Sequence, residues 1–398
     1  MHYDFTTVVD RSRLSASKWN AMKQANPCVP QGVVPLSVAD MELKNPPEIA
    51  EGLKHFLDKA VLGYTDPSKE YLAAACSWMQ HRHGWKTAPE WIVPTPGVVP
   101  ALFCAVRAFT KPGDGVILLT PVYYPFYRAV EKGGCSVVEC PLEEDGGRYK
   151  IDFGELEALA QKPENTMLLF CSPHNPVGRV WSEAELQTVA EICLRHHVLV
   201  VSDEIHSDLI LPGNSHTVFA SISPEAEQNC IVCTAPSKTF NLAGLQTSNI
   251  FIPNEELRHR FFEEMRRVSL PMPGILGCKA CEIAYTRCGA WLDELLCLLD
   301  SNRCVTESFL RENIPQIKPS PLEGTYLQWW DCRGLGLSPK DLVYFMTHQA
   351  LIFPDDGALF GKNGAGYERI NLACPTEVLQ AALERLLDAV RSLKSHKS

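Results

Sequence analysis

Four short segments of this 398-residue chain put reactive side chains at the ends of apolar runs. Lys238, in Ala235-Pro236-Ser237-Lys238-Thr239-Phe240-Asn241, follows directly on a strand-like run. Open α/β sheets bind ligands at the C-terminal ends of their strands. Ser202-Asp203-Glu204-Ile205-His206 closes a second, very apolar run. Strand alternation sends Asp203 and Glu204 to opposite faces, so one carboxylate can reach a crevice while the other caps structure elsewhere. Ser172-Pro173-His174-Asn175-Pro176-Val177-Gly178 is a turn-rich loop after a third run. Thr95-Pro96-Gly97-Val98-Val99-Pro100-Ala101 opens a helix expected over 98–109, whose first turn offers free N–H donors and a favourable dipole to a phosphate. Singly, each has an ordinary reading: a solvated lysine, a pair of capping acids, a turn, a helix start. Together they are an amine, a carboxylate and an anion-binding turn.

Strands and helices must hold these groups in place. Six strand-length apolar runs recur at 115–121, 136–142, 166–173, 198–205, 230–236 and 248–253. Continuous apolar runs suit strands buried on both faces. Helix-like stretches lie between several of them. The clearest is 182–195, where Ser182 and Glu185 form a capping-box pattern and Leu186, Val189, Ala190 and Cys193 supply one apolar stripe. Alternating strands and helices predict an α/β domain with a mainly parallel sheet. This large domain is expected at 49–286. Residues 287–398 read as a smaller α+β domain, with long amphipathic helices at 290–313 and 376–393 and strands at 324–331 and 368–373. The arm 1–48 is expected to join it. The polar tail 391–398 is expected to fray.

The bulk properties narrow the classes. The chain is 45% hydrophobic and 21% charged, a globular balance, and is too long for one ordinary core. A formal net charge of -10 gives no reason to expect nucleic acid or an anionic membrane as a partner. No apolar run approaches the ~20 residues of a membrane helix. Residues 1–10 are polar and lack the basic start and apolar middle of a signal peptide, so a cytoplasmic location is expected. The 16 cysteines do not suggest a disulfide scaffold, since the chain is neither short nor loop-rich. Two C-x-x-C pairs occur, Cys230/Cys233 and Cys278/Cys281. The first lies in an expected strand, where residues three apart face opposite sides. Both are read as chance spacing, and no metal site is expected.

In order and spacing, the reactive segments resemble fold-type I pyridoxal-phosphate (PLP) enzymes of the class I/II aminotransferase superfamily. The resemblance runs from Leu62-Gly63-Tyr64-Thr65-Asp66-Pro67 through Pro96-Gly97-Val98-Val99, Tyr123, Asn175-Pro176, Asp203 and Ser237-Lys238 to Arg369, nearly the whole chain. It implies a large domain with a seven-stranded, mainly parallel sheet and a smaller C-terminal domain. The implied cofactor is pyridoxal 5'-phosphate, held by Lys238 as a Schiff base; Lys238 would later act as base at the substrate Cα. Asp203 would pair with the pyridine nitrogen, Asn175 would bond the ring's phenolic oxygen, and Tyr123 would stack on the ring. Gly97, Val98 and Ser237 would hold the phosphate, with Tyr64 reaching in from the second subunit of a homodimer. Arg369 would grip the carboxylate of an amino-acid substrate as a bidentate fork. Read without the family pattern, Arg369 is an ordinary strand arginine.

Two departures from ordinary aminotransferases refine the resemblance. Those enzymes usually carry an arginine eight residues after the lysine and a tyrosine three after the aspartate; here these are Gln246 and His206. Both changes are similar to the MalY/PatB-type cystathionine β-lyases, as are Val38-Ala39-Asp40-Met41, Trp78 and Arg82-His83-Gly84-Trp85. Glu42 stands where that group suggests Asp. In this group His206 would be among the cofactor's neighbours and Asp40 among the substrate's. With Gln246 in place of arginine, a looser hold on the phosphate is expected. The implied reaction is α,β-elimination from an S-substituted cysteine. Lys238 takes the Cα proton, the Cβ–S bond breaks, a thiol leaves, and the remaining aminoacrylate hydrolyses to pyruvate and ammonia. Tyr123 or Lys238 would supply any proton to sulfur. The alternatives are an aminotransferase and a regulatory protein that contacts another protein through the same fold. A cis peptide is expected at Asn175–Pro176.

Overall fold

The apolar runs fold as strands because their side chains find hydrophobic partners on both faces. In the computed structural model, which describes residues 3–395, the strands in chain order are β1 (Ile92–Thr95), β2 (Gly115–Thr120), β3 (Ser136–Pro141), β4 (Glu143–Asp145), β5 (Arg148–Lys150), β6 (Asn165–Cys171), β7 (Leu199–Asp203), β8 (Cys230–Thr234), β9 (Ser248–Phe251), β10 (Lys318–Pro319), β11 (Leu327–Asp331), β12 (Asp355–Asp356) and β13 (Tyr367–Asn371). Seven of them form one sheet in the order β1-β9-β8-β7-β6-β2-β3. The pairs β2–β3, β2–β6, β6–β7 and β7–β8 are parallel, whereas β9 pairs antiparallel with both β8 and β1. The fold is the expected mainly parallel seven-stranded α/β architecture. β1 is the strand that no apolar run announced. It has only four residues and contains Pro94, which an edge position tolerates because the missing N–H faces no neighbour.

Alternation along the strands divides the core. Ile117, Leu119, Leu168, Phe170 and Val200 point into one cluster, and Val116, Leu118, Met167, Leu169 and Val201 into another on the opposite face. Cys230 belongs to the first and Cys233 to the second, so this C-x-x-C pair straddles the sheet. All sixteen cysteines are unpaired, and Cys28, Cys297 and Cys304 are the exposed ones. Helices cover both faces. Helix Glu183–Arg195 starts as expected, with Ser182 accepting from Glu185 N and the Glu185 carboxylate accepting from Ser182 N.

The later strands make a second sheet, β10-β11-β13-β12, antiparallel throughout. Helices Gly289–Asn313 and Thr376–Ser395 pack beside it. Asn302, fully buried, ties them together: it donates to the Leu372 and Cys374 carbonyls at 2.8 and 2.9 Å and accepts from Thr376 Oγ1 at 2.7 Å. The arm preceding residue 48 runs along this layer. Leu36 exchanges backbone bonds with Ile352 and Asn371, Glu42 N donates to Ala373 O, and Trp19, Met22, Val33 and Val34 cluster with Phe353. The final helix runs through most of the tail expected to fray, and 396–398 lie outside the described residues. Among the described residues, no helix is long and apolar enough to cross a membrane.

Candidate active site

The loops leaving β1, β6, β7 and β8 converge on a cavity of about 160 Å3. A wider cleft of about 950 Å3 lies around Tyr124, Arg128 and Lys362, but the smaller cavity is the one walled by a buried lysine, a buried carboxylate and a buried histidine. Lys238 enters from the short helix Pro236–Thr239, which begins as soon as β8 ends. Its Nζ donates to the Ala39 carbonyl at 2.7 Å. Burial pushes the amine down to about 8, an effect partly offset by the charge of Asp40.

Asp203 is the last residue of β7, and Glu204 follows on the other side, as alternation requires. The Asp203 carboxylate accepts from Ile205 N at 3.2 Å and has no other hydrogen-bond partner among the described residues. Burial pushes it up to about 7, with the Ile205 N–H and Lys238 acting in the opposite direction. Glu204 instead caps structure away from the cavity. It accepts from Ser202 Oγ at 2.8 Å, His216 Nε2 at 2.9 Å and Phe219 N at 2.9 Å. His206 lines the cavity with its ring edge toward Tyr326. Burial, reinforced by Lys238 and Arg369, holds its pKa well below the usual histidine range, so the ring is neutral, and its Nδ1 is buried without a partner.

Asn175 reaches the cavity through the loop after β6, and the bond to Pro176 is cis. Its Oδ1 accepts from Arg369 Nη1 at 2.9 Å. Arg369 itself comes from β13, so this bond joins the two sheets. The arginine is buried and pairs with Asp355 at 2.5 Å. Tyr123 lines the wall above β2, and burial raises its phenol far above the usual range. Gly97 and Val98 lie at the start of helix Val98–Phe109, opposite Ser237. Gly97 has φ +144°, a backbone that L side chains rarely adopt, and an added Cβ would meet Pro100 Cδ at 3.4 Å. Gln246 also lines the wall.

Three sequence candidates are not part of the cavity wall: Arg369, which meets it only through Asn175, and Tyr64 and Asp40, which lie apart from it. Tyr64 is fully exposed, in a coil beside the exposed Leu57, Val61 and Leu62. The Asp40 carboxylate is engaged by Arg11 at 2.8 and 2.9 Å and by Lys18 at 3.1 Å; its neighbour Ala39 lines the cavity instead. Glu42 joins that cluster, 2.8 Å from both cations. Two contributors were not singled out from sequence. Ala39 acts through a backbone carbonyl, which no residue type reveals. Asp355 sits in Pro354-Asp355-Asp356-Gly357, a string that reads as a plain turn.

The geometry gathers an amine, an unpaired carboxylate, a glycine turn at a helix start and, through Asn175, a buried guanidinium. The family model described as aminotransferase class I and II matches residues 31–386. Cystathionine beta-lyase PatB of Bacillus subtilis is 44% identical over 90% of this chain and 92% of its own. Protein MalY of Escherichia coli is 30% identical over 98% of this chain and 100% of its own. The crystal structure of cystalysin from Treponema denticola, which contains a pyridoxal 5'-phosphate cofactor, superposes with a TM-score of 0.97 at 52% identity, covering 99% of this chain and 100% of that one. With its sheet order, its cavity and its matched length in agreement, this chain belongs to the class I and II aminotransferase family.

Proposed function

We propose that the protein is a PLP-dependent carbon–sulfur β-lyase that cleaves cystathionine or another cysteine S-conjugate to a thiol, pyruvate and ammonia. The observation that carries this reading is Asp203: a buried carboxylate without a cation, facing the same cavity as a buried lysine whose amine is bonded only to a backbone carbonyl. Burying a carboxylate without a partner is costly, so a ligand bearing a protonated ring nitrogen suits it. The rest of the cavity fits the same group. Lys238 would hold its carbonyl carbon, the Gly97 turn with Val98 and Ser237 would take its phosphate, Asn175 would bond its phenolic oxygen, and Tyr123 would lie on its face. His206, being neutral, adds no charge there. When bound, PLP supplies an electron sink that acidifies the Cα–H of an amino acid.

The chain's own groups then divide the work. Arg369 grips the substrate carboxylate, which fixes Cα near Lys238. The Lys238 amine, with its pKa lowered to about 8, is neutral often enough near neutral pH to take the Cα proton. Tyr123, kept protonated by burial, can give a proton to the departing sulfur, and so can Lys238 once it carries one. Gln246 brings no positive charge to the phosphate, in keeping with a lyase rather than a transaminase. The aminotransferase alternative rests on the family model itself, described as aminotransferase class I and II.

The same reading makes the protein a cytoplasmic homodimer, with a large unit at 49–286, a small unit at 287–398 and the arm 1–48 joining it. The exposed Tyr64 with Leu57, Val61 and Leu62 supports a partner surface from which Tyr64 reaches the neighbouring phosphate.

The deciding experiment is pyruvate release from L-cystathionine by the PLP-loaded protein, with Lys238→Ala as control. Pyruvate and free thiol in equal amounts, lost in the variant, are expected. Transfer of the amino group to a 2-oxo acid without pyruvate would instead establish the aminotransferase reading.

A further inference from the structure

β12 and the segment that follows it grip Arg369 from two sides. Asp355 is the cross-strand partner of Arg369 in the β12–β13 ladder, so the backbone sets the two side chains against each other. A single oxygen, Oδ2, accepts from Arg369 Nε at 3.2 Å and Nη2 at 2.5 Å. The Phe360 ring lies 4.7 Å from the guanidinium carbon. The same Oδ2 accepts from the backbone N–H of Val38 at 2.9 Å. Val38 has φ +56°, a costly conformation for a β-branched residue, and the turn it makes presents the Ala39 carbonyl to Lys238.

The donors on Arg369 can be counted. A guanidinium has five N–H groups in a fixed fork. Asp355 takes two and Asn175 one. One N–H remains on each terminal nitrogen, which is what a bidentate bond to a carboxylate requires. Neither Arg369 nor Asp355 lines the cavity wall itself; Arg369 meets it through Asn175, and Asp355 stands one step further back, acting through the arginine.

We propose that Asp355 is a positioning residue for substrate recognition. It holds Arg369 with its remaining N–H pair free for the substrate, and it ties that fork to the strained turn at 38–40 that contacts Lys238. This deepens, and rests on, the assignment of Arg369 to the α-carboxylate.

Asp355→Asn keeps the side chain's shape and an acceptor for Val38 but removes the charge that clamps Arg369. In the PLP-loaded enzyme, KM for L-cystathionine is expected to rise about tenfold, the worth of one bond to a charged group, with kcat changed by less than about threefold. Binding of 3-(methylthio)propionate gives a readout without turnover, since it has the carboxylate and thioether but no amine. Its Kd is expected to rise in parallel. Arg369→Ala is measured alongside. If that variant raises KM while Asp355→Asn leaves both KM and Kd unchanged, the positioning role is overturned and the carboxylate site stands. A fall in kcat at constant KM in Asp355→Asn, with a lower melting temperature, would mark a purely structural role and equally overturn it. If Arg369→Ala itself leaves KM unchanged, the carboxylate is bound elsewhere and both assignments fall.

Discussion

Burial raises the pKa of Asp203 and lowers that of Lys238, and neither group has an ionic partner close enough to cancel the effect. For Asp203 the linkage has a definite sign. Its folded pKa, about 7, stands above the ordinary value of 3.8, so its contribution to stability is complete below about pH 4 and is lost as pH rises through 7. Asp203→Asn removes that loss. In cofactor-free protein, the melting temperature of the variant relative to wild type should therefore climb between pH 5 and pH 8. A flat difference across that range would show that Asp203 carries no such burden. In PLP-loaded enzyme the same substitution should, on the proposed reading, cost about a hundredfold or more in kcat, because it would remove the charge that pairs with the ring nitrogen. Site residues differed in how openly the sequence displayed them. Lys238, Asp203 and Asn175 stand at the ends of apolar runs, where position alone is informative. Arg369 is one arginine among many and gains meaning only from the family pattern. Asp355 could not be found that way, because its role depends on a cross-strand neighbour fourteen positions away.

Elements with strong local signals were the ones the sequence displayed. Helix Glu183–Arg195 has both its capping box and its stripe, and the strands buried on both faces are continuous apolar runs. β1, β10 and β12 are two to four residues long and exist because a neighbouring strand offers hydrogen bonds, information that is not local. The same contrast predicts where single substitutions will hurt. Ser182→Ala, at an exposed cap, should cost about 1 kcal/mol in denaturant unfolding. Asn302→Ala should cost roughly 2–4 kcal/mol, since it removes three bonds at once, leaves the buried Cys374 carbonyl without its side-chain donor and takes one of two donors from the Leu372 carbonyl. Equal losses from the two would mean that Asn302 is not the tie between the last helices that its bonds describe.

At the scale of the whole molecule, one chain does not display a complete site under the proposed reading. Tyr64 projects into solvent from an exposed apolar stretch. A solution mass of twice the 44.3 kDa chain is expected for active enzyme. Tyr64→Ala should raise the Kd for PLP about tenfold, the worth of one hydrogen bond to a charged phosphate, while leaving the dimer intact. Active monomer would remove the basis for that assignment. The formal net charge of -10 fits the proposed reading, in which anion binding is confined to local sites such as the Gly97 turn.

The distribution of cysteines has a practical side. Ten of the sixteen thiols are buried, and burial raises the pKa of many of them, including Cys171, Cys193 and Cys281, so they stay protonated and unreactive. If the products of catalysis include free thiols, any mixed disulfide that an added oxidant such as O2 forms between product and protein is confined largely to the surface. Cys28, Cys297 and Cys304 are then the natural attachment points for a fluorophore or spin label, which would give optical and magnetic handles on the folded molecule without disturbing the sheet beneath.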